Sequence, residues 1–295
     1  MQSADFLSAV FFYLKEGENL NQNWIVENLN NAFSTWNGKL GELWGLVTTG
    51  PQTFKGGAVW SVMQTLHNGM VGIGYALVVL FFAISLCKNT MNFHELKRPE
   101  AAIHYFLRFV AAKALVGYGM DIMLNVFSIC NGIVTDMADS MGGISEAMVS
   151  LPAEMQTAIE NVGFLASIPL CLVTILGSLF ITVLSFVMIL TVYGRFFRLY
   201  MYTALAPLPL AAFAGESTQS VGISFLKSYV GVCLEGAVIV LACVIYSAFV
   251  STPTVASGEA TTIVWSYLAE TVFNMLVLVG LIKGSDRIIH EMMGL

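Results

Sequence analysis

Asp121 with Asn125 and Glu270 with Asn274 are carboxylate and amide pairs four residues apart, so each pair lies on one face of a helix. Glu235 stands alone inside a third apolar segment. A charge at the centre of a membrane helix costs about 2.5 to 3.5 kcal/mol on insertion scales. Such residues either line a wet passage or an ion or proton relay, or bond to neighbouring helices and hold a bundle together. Arg108, Lys113, Arg195 and Arg198 form a second group, placed where apolar segments begin or end. Gathered at one mouth, they would attract phosphates; the positive-inside bias alone also predicts basic residues there. Tyr193, Phe196, Phe197, Tyr200 and Tyr202 are interleaved with the two arginines, a pattern shared by stacking platforms for single strands and by aromatic belts at the membrane interface.

Hydrolytic chemistry has no motif to rest on. His94-Glu95 opens like a zinc-protease signature, but Arg98 stands where the second histidine belongs. No Walker-A sequence and no G-x-S-x-G elbow occurs. Gly72 and Gly74 start a dinucleotide fingerprint that Leu77 breaks. The five cysteines sit at scattered spacing in or beside apolar segments, which fits buried thiols better than a disulfide framework or a metal cluster. The chain is expected to be no enzyme and to need no cofactor.

The elements that must position these residues are membrane helices. With 57% hydrophobic and 11% charged residues and a mean hydropathy of +0.76, the chain is too apolar for a soluble domain. Met1 to Leu14 has no basic leader and no small-residue cleavage site, so the first membrane helix is expected to do the targeting. Residues 1–65 differ from the rest: Trp24, Ile25, Leu29, Phe33, Trp36, Leu40, Leu43 and Val47 recur at intervals of three and four, giving an amphipathic helix. That face needs the bilayer interface, another subunit or its own bundle. Five spans follow at about 66–87, 106–134, 164–193, 229–250 and 263–282. Gly69, Gly72, Gly74 and Ala76 in the first span permit close helix contact. The loop 135–163 carries five acidic residues and no lysine or arginine.

Residues 199–214 form the exception. As a helix this apolar run reaches about 24 Å, short of the roughly 30 Å of a bilayer's hydrocarbon. Pro207 and Pro209 each remove an amide donor and disfavour helix in the residue before them. Broken backbone survives at membrane depth only under cover of protein or a water-filled cavity, so the run is expected to be a re-entrant or interfacial element. With five spans, the inner side holds Lys88, Lys97, Arg98, Arg108, Lys113, Arg195, Arg198, Lys227, Lys283 and Arg287, and the outer side only Lys15, Lys39 and Lys55. This assigns the N-terminus outside and the C-terminus to the cytoplasm. The fold class is an all-α integral membrane protein.

Arg195, Phe196 and Leu199, the run Ala204-Leu205-Ala206-Pro207-Leu208-Pro209-Leu210-Ala211, and the helix opening near Lys227-Ser228-Tyr229 resemble the TrbL family of polytopic subunits of type IV secretion and conjugation machines. The likeness to mobile-element members from Gram-positive bacteria is closest over 194–246, including Val232-Cys233-Leu234-Glu235-Gly236-Ala237. The resemblance implies a plasma-membrane subunit at the base of a translocation channel, built as a homo-oligomeric ring. It would help move a relaxase-bound DNA strand or a protein outward, with other secretion subunits and separate cytoplasmic ATPases as partners. Two rivals remain at this stage: a secondary transporter using buried carboxylates, and a passive assembly scaffold.

Overall fold

The computed structural model describes residues 2–90, 99–140, 148–249 and 260–294. His94-Glu95, Lys97, Arg98, Glu146 and the turn with Pro253 and Gly258 lie outside the described residues. The described chain is helical, with no strand: α1 (Gln2–Thr48), α2 (Ala58–Thr90), α3 (Pro99–Gly117), α4 (Gly119–Ser140), α5 (Ala153–Glu160), α6 (Phe164–Leu205), α7 (Pro207–Ala211), α8 (Gln219–Phe249) and α9 (Ala260–Met293). Four stretches, Phe54–Lys88, Ser167–Leu205, Gln219–Phe249 and Thr262–Met293, are long and apolar enough to cross a membrane. A fifth arises if Ile103–Gly117 and Gly119–Asp139, bent by 72° at Tyr118, count as one span.

The chain divides into two units. The first comprises Met1–Gly45, Met141–Thr191 and Leu241–Lys283. Its core takes the predicted apolar face of α1: Ile25, Leu29, Trp36, Leu40 and Leu43 are fully buried, whereas Trp24 is 43% exposed. The face therefore packs on its own chain. Phe33 meets the Tyr267 ring of α9 edge-on at 6.4 Å, and Asn28 Nδ2 donates to Ser178 Oγ of α6 at 3.1 Å. Asn37 uses both ends of its amide on the backbone of one residue, donating to Val149 O at 2.8 Å and accepting from Val149 N at 2.9 Å. Tyr267 OH donates to Ser150 O at 2.9 Å.

The second unit comprises Leu46–Ser140, Val192–Val240 and Gly284–Leu295. Here α7 packs against α2 and α3, and all three join the core around Val78, Val116, Leu199, Leu210 and Val232. Gly74 makes this possible, because a Cβ there would stand 2.9 Å from Pro207 O and from Val116 Cγ1. Gly69 and Gly72 face open space. Of the glycines expected to admit a close helix neighbour, Gly74 is the one used for that within this unit.

Three boundaries differ from the sequence expectation. The helix expected to stop near Tyr193 runs on to Leu205, so Leu199 to Leu205 belongs to α6 and the break begins at Ala206. The single span expected over 106–134 is instead two helices meeting at Tyr118, between Gly117 and Gly119. The acidic loop contains the short helix α5 and is shortened at its start by α4.

Candidate functional site

The irregular backbone after α6 is held by side chains. In a continuous helix the Thr203 carbonyl would accept from the amide of residue 207, which is a proline and has none. His67 of α2 takes that place, its Nδ1 donating to Thr203 O at 2.7 Å from a buried ring. Arg108 of α3 donates from Nε to Phe213 O at 3.2 Å and from Nη2 to the Gln219 side chain. Thr218 Oγ1 donates to Ala212 O at 2.7 Å, and Ser85 Oγ accepts from Glu216 N at 3.4 Å. Ala206, Leu210, Ala211, Ala212 and Ala214 are all buried. The break thus sits under protein cover with its polar groups supplied, as a hydrocarbon setting demands. Ala206 is nonetheless helical, at φ −49° and ψ −40°, against the usual bias before proline. Pro207 and Pro209 occupy the first turn of α7, where amides have no intrahelical acceptor and their absence costs little.

One turn and more before the break, Arg195 and Arg198 leave α6 toward α8. Arg195 is fully buried and donates to three main-chain carbonyls, Val232 at 3.3 Å, Cys233 at 3.1 Å and Val47 at 3.3 Å. Val47 lies in the last turn of α1, whose carbonyls have no helical donor of their own. Gly236 lets the guanidinium lie flat on α8: a Cβ there would come within 2.7 Å of Nη1. Arg198 donates from Nη2 to both oxygens of Glu235 at 2.7 Å and pairs through Nη1 with Asp286. Ser285 Oγ adds a third bond to Glu235 at 3.2 Å. Glu235, only 1% exposed, is a buried carboxylate with a cation and a hydroxyl around it, the condition under which such burial is tolerated.

The aromatic residues near the arginines are mostly occupied within the unit. The ring of Phe54 stacks on Phe196 at 4.0 Å, meets Tyr193 edge-on at 5.5 Å and lies tilted against Tyr200, and Tyr202 packs on Phe225 and Tyr229. Tyr200 OH donates to Pro51 O at 2.9 Å and Tyr229 OH to Met123 O at 2.8 Å. Phe197 points outward.

Asp121 and Asn125 share a cavity of about 540 Å³ between the Gly50–Gln52 segment and α4, with Ser128 and Asn131 further along the same helix. Asn131 Nδ2 donates to Thr48 O at 3.2 Å. Glu270 and Asn274 belong to the first unit and share no environment: Glu270 is exposed and Asn274 is buried. Lys113 is exposed on α3, so the four cations do not form one cluster: Arg195 and Arg198 are gathered by α8, and Arg108 serves the break. The sequence reading missed His67, Gly236, Ser285 and Asp286. His67 carried a signal, being the one histidine within the uncharged run 66–87.

A helical chain with four or five membrane-length segments and a protein-covered break between two of them is a polytopic membrane protein. The family model of TrbL/VirB6 plasmid conjugal transfer like proteins matches residues 36–207, more than half of the chain and the whole of α6 with Pro207 at its end. The chain belongs to that family. No curated protein and no solved structure matches it.

Proposed function

We propose that the chain is a channel-scaffold subunit of a conjugative type IV secretion complex in the bacterial plasma membrane. Its N-terminus is outside and its C-terminus cytoplasmic, and it assembles as a homo-oligomer with other secretion subunits and separate ATPases. It helps pass a DNA–relaxase or protein substrate outward and performs no catalysis of its own. The observation that carries this reading is the family match over 36–207, which takes in Arg195, Arg198 and the first proline of the break. The bonding pattern favours the scaffold side of the role: Arg108, Arg195 and Arg198 spend their donors on the chain's own carbonyls and carboxylates. A substrate strand would have to compete with those bonds.

The test is conjugal transfer from donors with a clean deletion of this gene, complemented by wild type or by Pro207→Ala with Pro209→Ala. Loss on deletion, rescue by wild type and poor rescue by the normally expressed double variant are expected. Undiminished transfer from the deletion strain would overturn the reading. Strand-specific crosslinking to transferring DNA then separates a channel wall from an assembly scaffold that never meets substrate.

A further inference from the structure

Two irregular points of the second unit lie face to face. One is the 72° bend at Tyr118 between α3 and α4, and the other is the break at Ala206 between α6 and α7. Gly119, the first residue of α4, sits so close to α7 that a Cβ there would stand 3.2 Å from Leu210 Cδ1. The same Cβ would stand 3.4 Å from Cε1 of His67, the ring whose Nδ1 donates to Thr203 O at 2.7 Å. His67 thus lies against the start of α4 while it holds the end of α6. Two turns further along α2, Gly74 repeats the arrangement. A Cβ there would lie 2.9 Å from Val116 Cγ1, in the last turn of α3, and 3.0 Å from Pro207 Cβ. Gly117 is equally confined, since its Cβ would come within 2.7 Å of Tyr75 OH.

Each point is one at which a helix changes direction at low cost. Tyr118 lies between two glycines, and Pro207 and Pro209 withhold two amides from the helical ladder. The contact between the two points is sealed: Ala206, Leu210 and Val116 are fully buried and His67 is 2% exposed. A close-packed contact has no slack. Changing the bend at Tyr118 therefore drives Gly119 onto Leu210 and His67 or draws it away from them, and the turn at Ala206 has to follow. Hinges are a few residues at element ends that absorb such a change, and packed side chains between them carry the coupling. We propose that the bend at Tyr118 and the break at Ala206 are one joint, pinned by His67, through which α4 and α7 change direction together.

The experiment uses the full chain in lipid nanodiscs and perturbs each point separately. Hydrogen exchange is followed over 117–123 and 206–216, with 25–43 of α1 as the reference for global unfolding. Gly119→Ala sets a methyl group against Leu210 and His67. It is expected to raise exchange several-fold in 206–216 as well as in 117–123, with 25–43 unchanged. In a Leu210→Ala background the same substitution should change exchange far less, because the atom that the methyl meets is gone. Pro207→Ala with Pro209→Ala approaches the joint from the other side by restoring two amides. Spin labels at Ile103→Cys and Ile133→Cys, exposed positions on α3 and α4, report the bend in a Cys87→Ser, Cys171→Ser chain whose other cysteines are buried. The proline variant should shift their separation by several ångströms. Exchange in 206–216 that ignores Gly119→Ala, or a label separation that ignores the proline variant, would overturn the proposal. If Gly119→Ala also strips protection from 25–43 the chain has unfolded as a whole, and the label separation then decides alone.

Discussion

His67 donates to the Thr203 carbonyl at the position where a helix would have used the amide of residue 207. A side chain from α2 thereby replaces a main-chain donor that Pro207 deletes, and the turn between α6 and α7 depends on both. Removing His67 leaves a buried carbonyl without a partner, at a cost of about 1–3 kcal/mol. In Pro207→Ala the restored amide can take over the bond.

His67→Ala is therefore expected to destabilise the wild-type chain by about that amount and the Pro207→Ala chain by less. A double-mutant cycle on unfolding in detergent measures the difference. Equal losses in the two backgrounds would mean that the histidine acts by packing alone.

Arg198→Ala strands the carboxylate of Glu235, which is 1% exposed. Breaking a buried pair from one side costs about 3–5 kcal/mol, and the residual exposure of Arg198 places the expected loss near the lower end. Replacing both partners, Arg198→Met with Glu235→Met, should recover most of it, since apolar substitutes for a buried pair are often neutral. The check is the unfolding free energy of the three variants; a double variant as unstable as Arg198→Ala would argue against the pairing.

Two glycines in long helices should respond oppositely to alanine. Gly236→Ala drives a methyl group into the Arg195 guanidinium, with 2.7 Å to Nη1, and should destabilise the second unit. Gly280→Ala meets nothing within 4 Å and should stabilise by about 0.5–1 kcal/mol through helix propensity. Thermal unfolding of the two single variants reads the sign directly.

Thiol labelling tests burial in both units. Cys87 is exposed, whereas Cys130, Cys233 and Cys243 are buried. A polar maleimide is expected to modify Cys87 rapidly in the folded chain and the other three only after denaturation, as peptide mass mapping would show. Rapid labelling of Cys233 would contradict the packing of α8 against α4 and α6.

Periodic features were legible in the sequence. The apolar positions from Ile25 to Val47 are buried as their spacing implies, and the proline pair marks a true interruption. What escaped it depends on contacts between distant positions. Arg195 reaches Val47, Val232 and Cys233, partners 37 to 148 residues away that offer only main-chain carbonyls, and a carbonyl has no residue type to read. Whether Glu235 lines a passage or holds the bundle stayed open in the sequence, because its partner stands 37 positions earlier, among cations that topology already explained. The bend at Tyr118 did leave a trace in the flanking Gly117 and Gly119, since paired small residues are a common cause of kinks. Apolarity on either side of Tyr118 outweighed it and favoured one uninterrupted span.

Asn37 is followed by Gly38, the neighbour that most readily lets an asparagine cyclise to a succinimide and deamidate. In the folded chain both ends of the Asn37 amide are engaged by Val149, and the Gly38 nitrogen is part of the α1 helix. The fold therefore guards this Asn-Gly link, one of three in the sequence. Should that guard lapse, the resulting aspartate would present oxygen to oxygen at Val149, so the loss would be self-sealing: a chain that has once opened there and aged carries a chemical record that works against closing again.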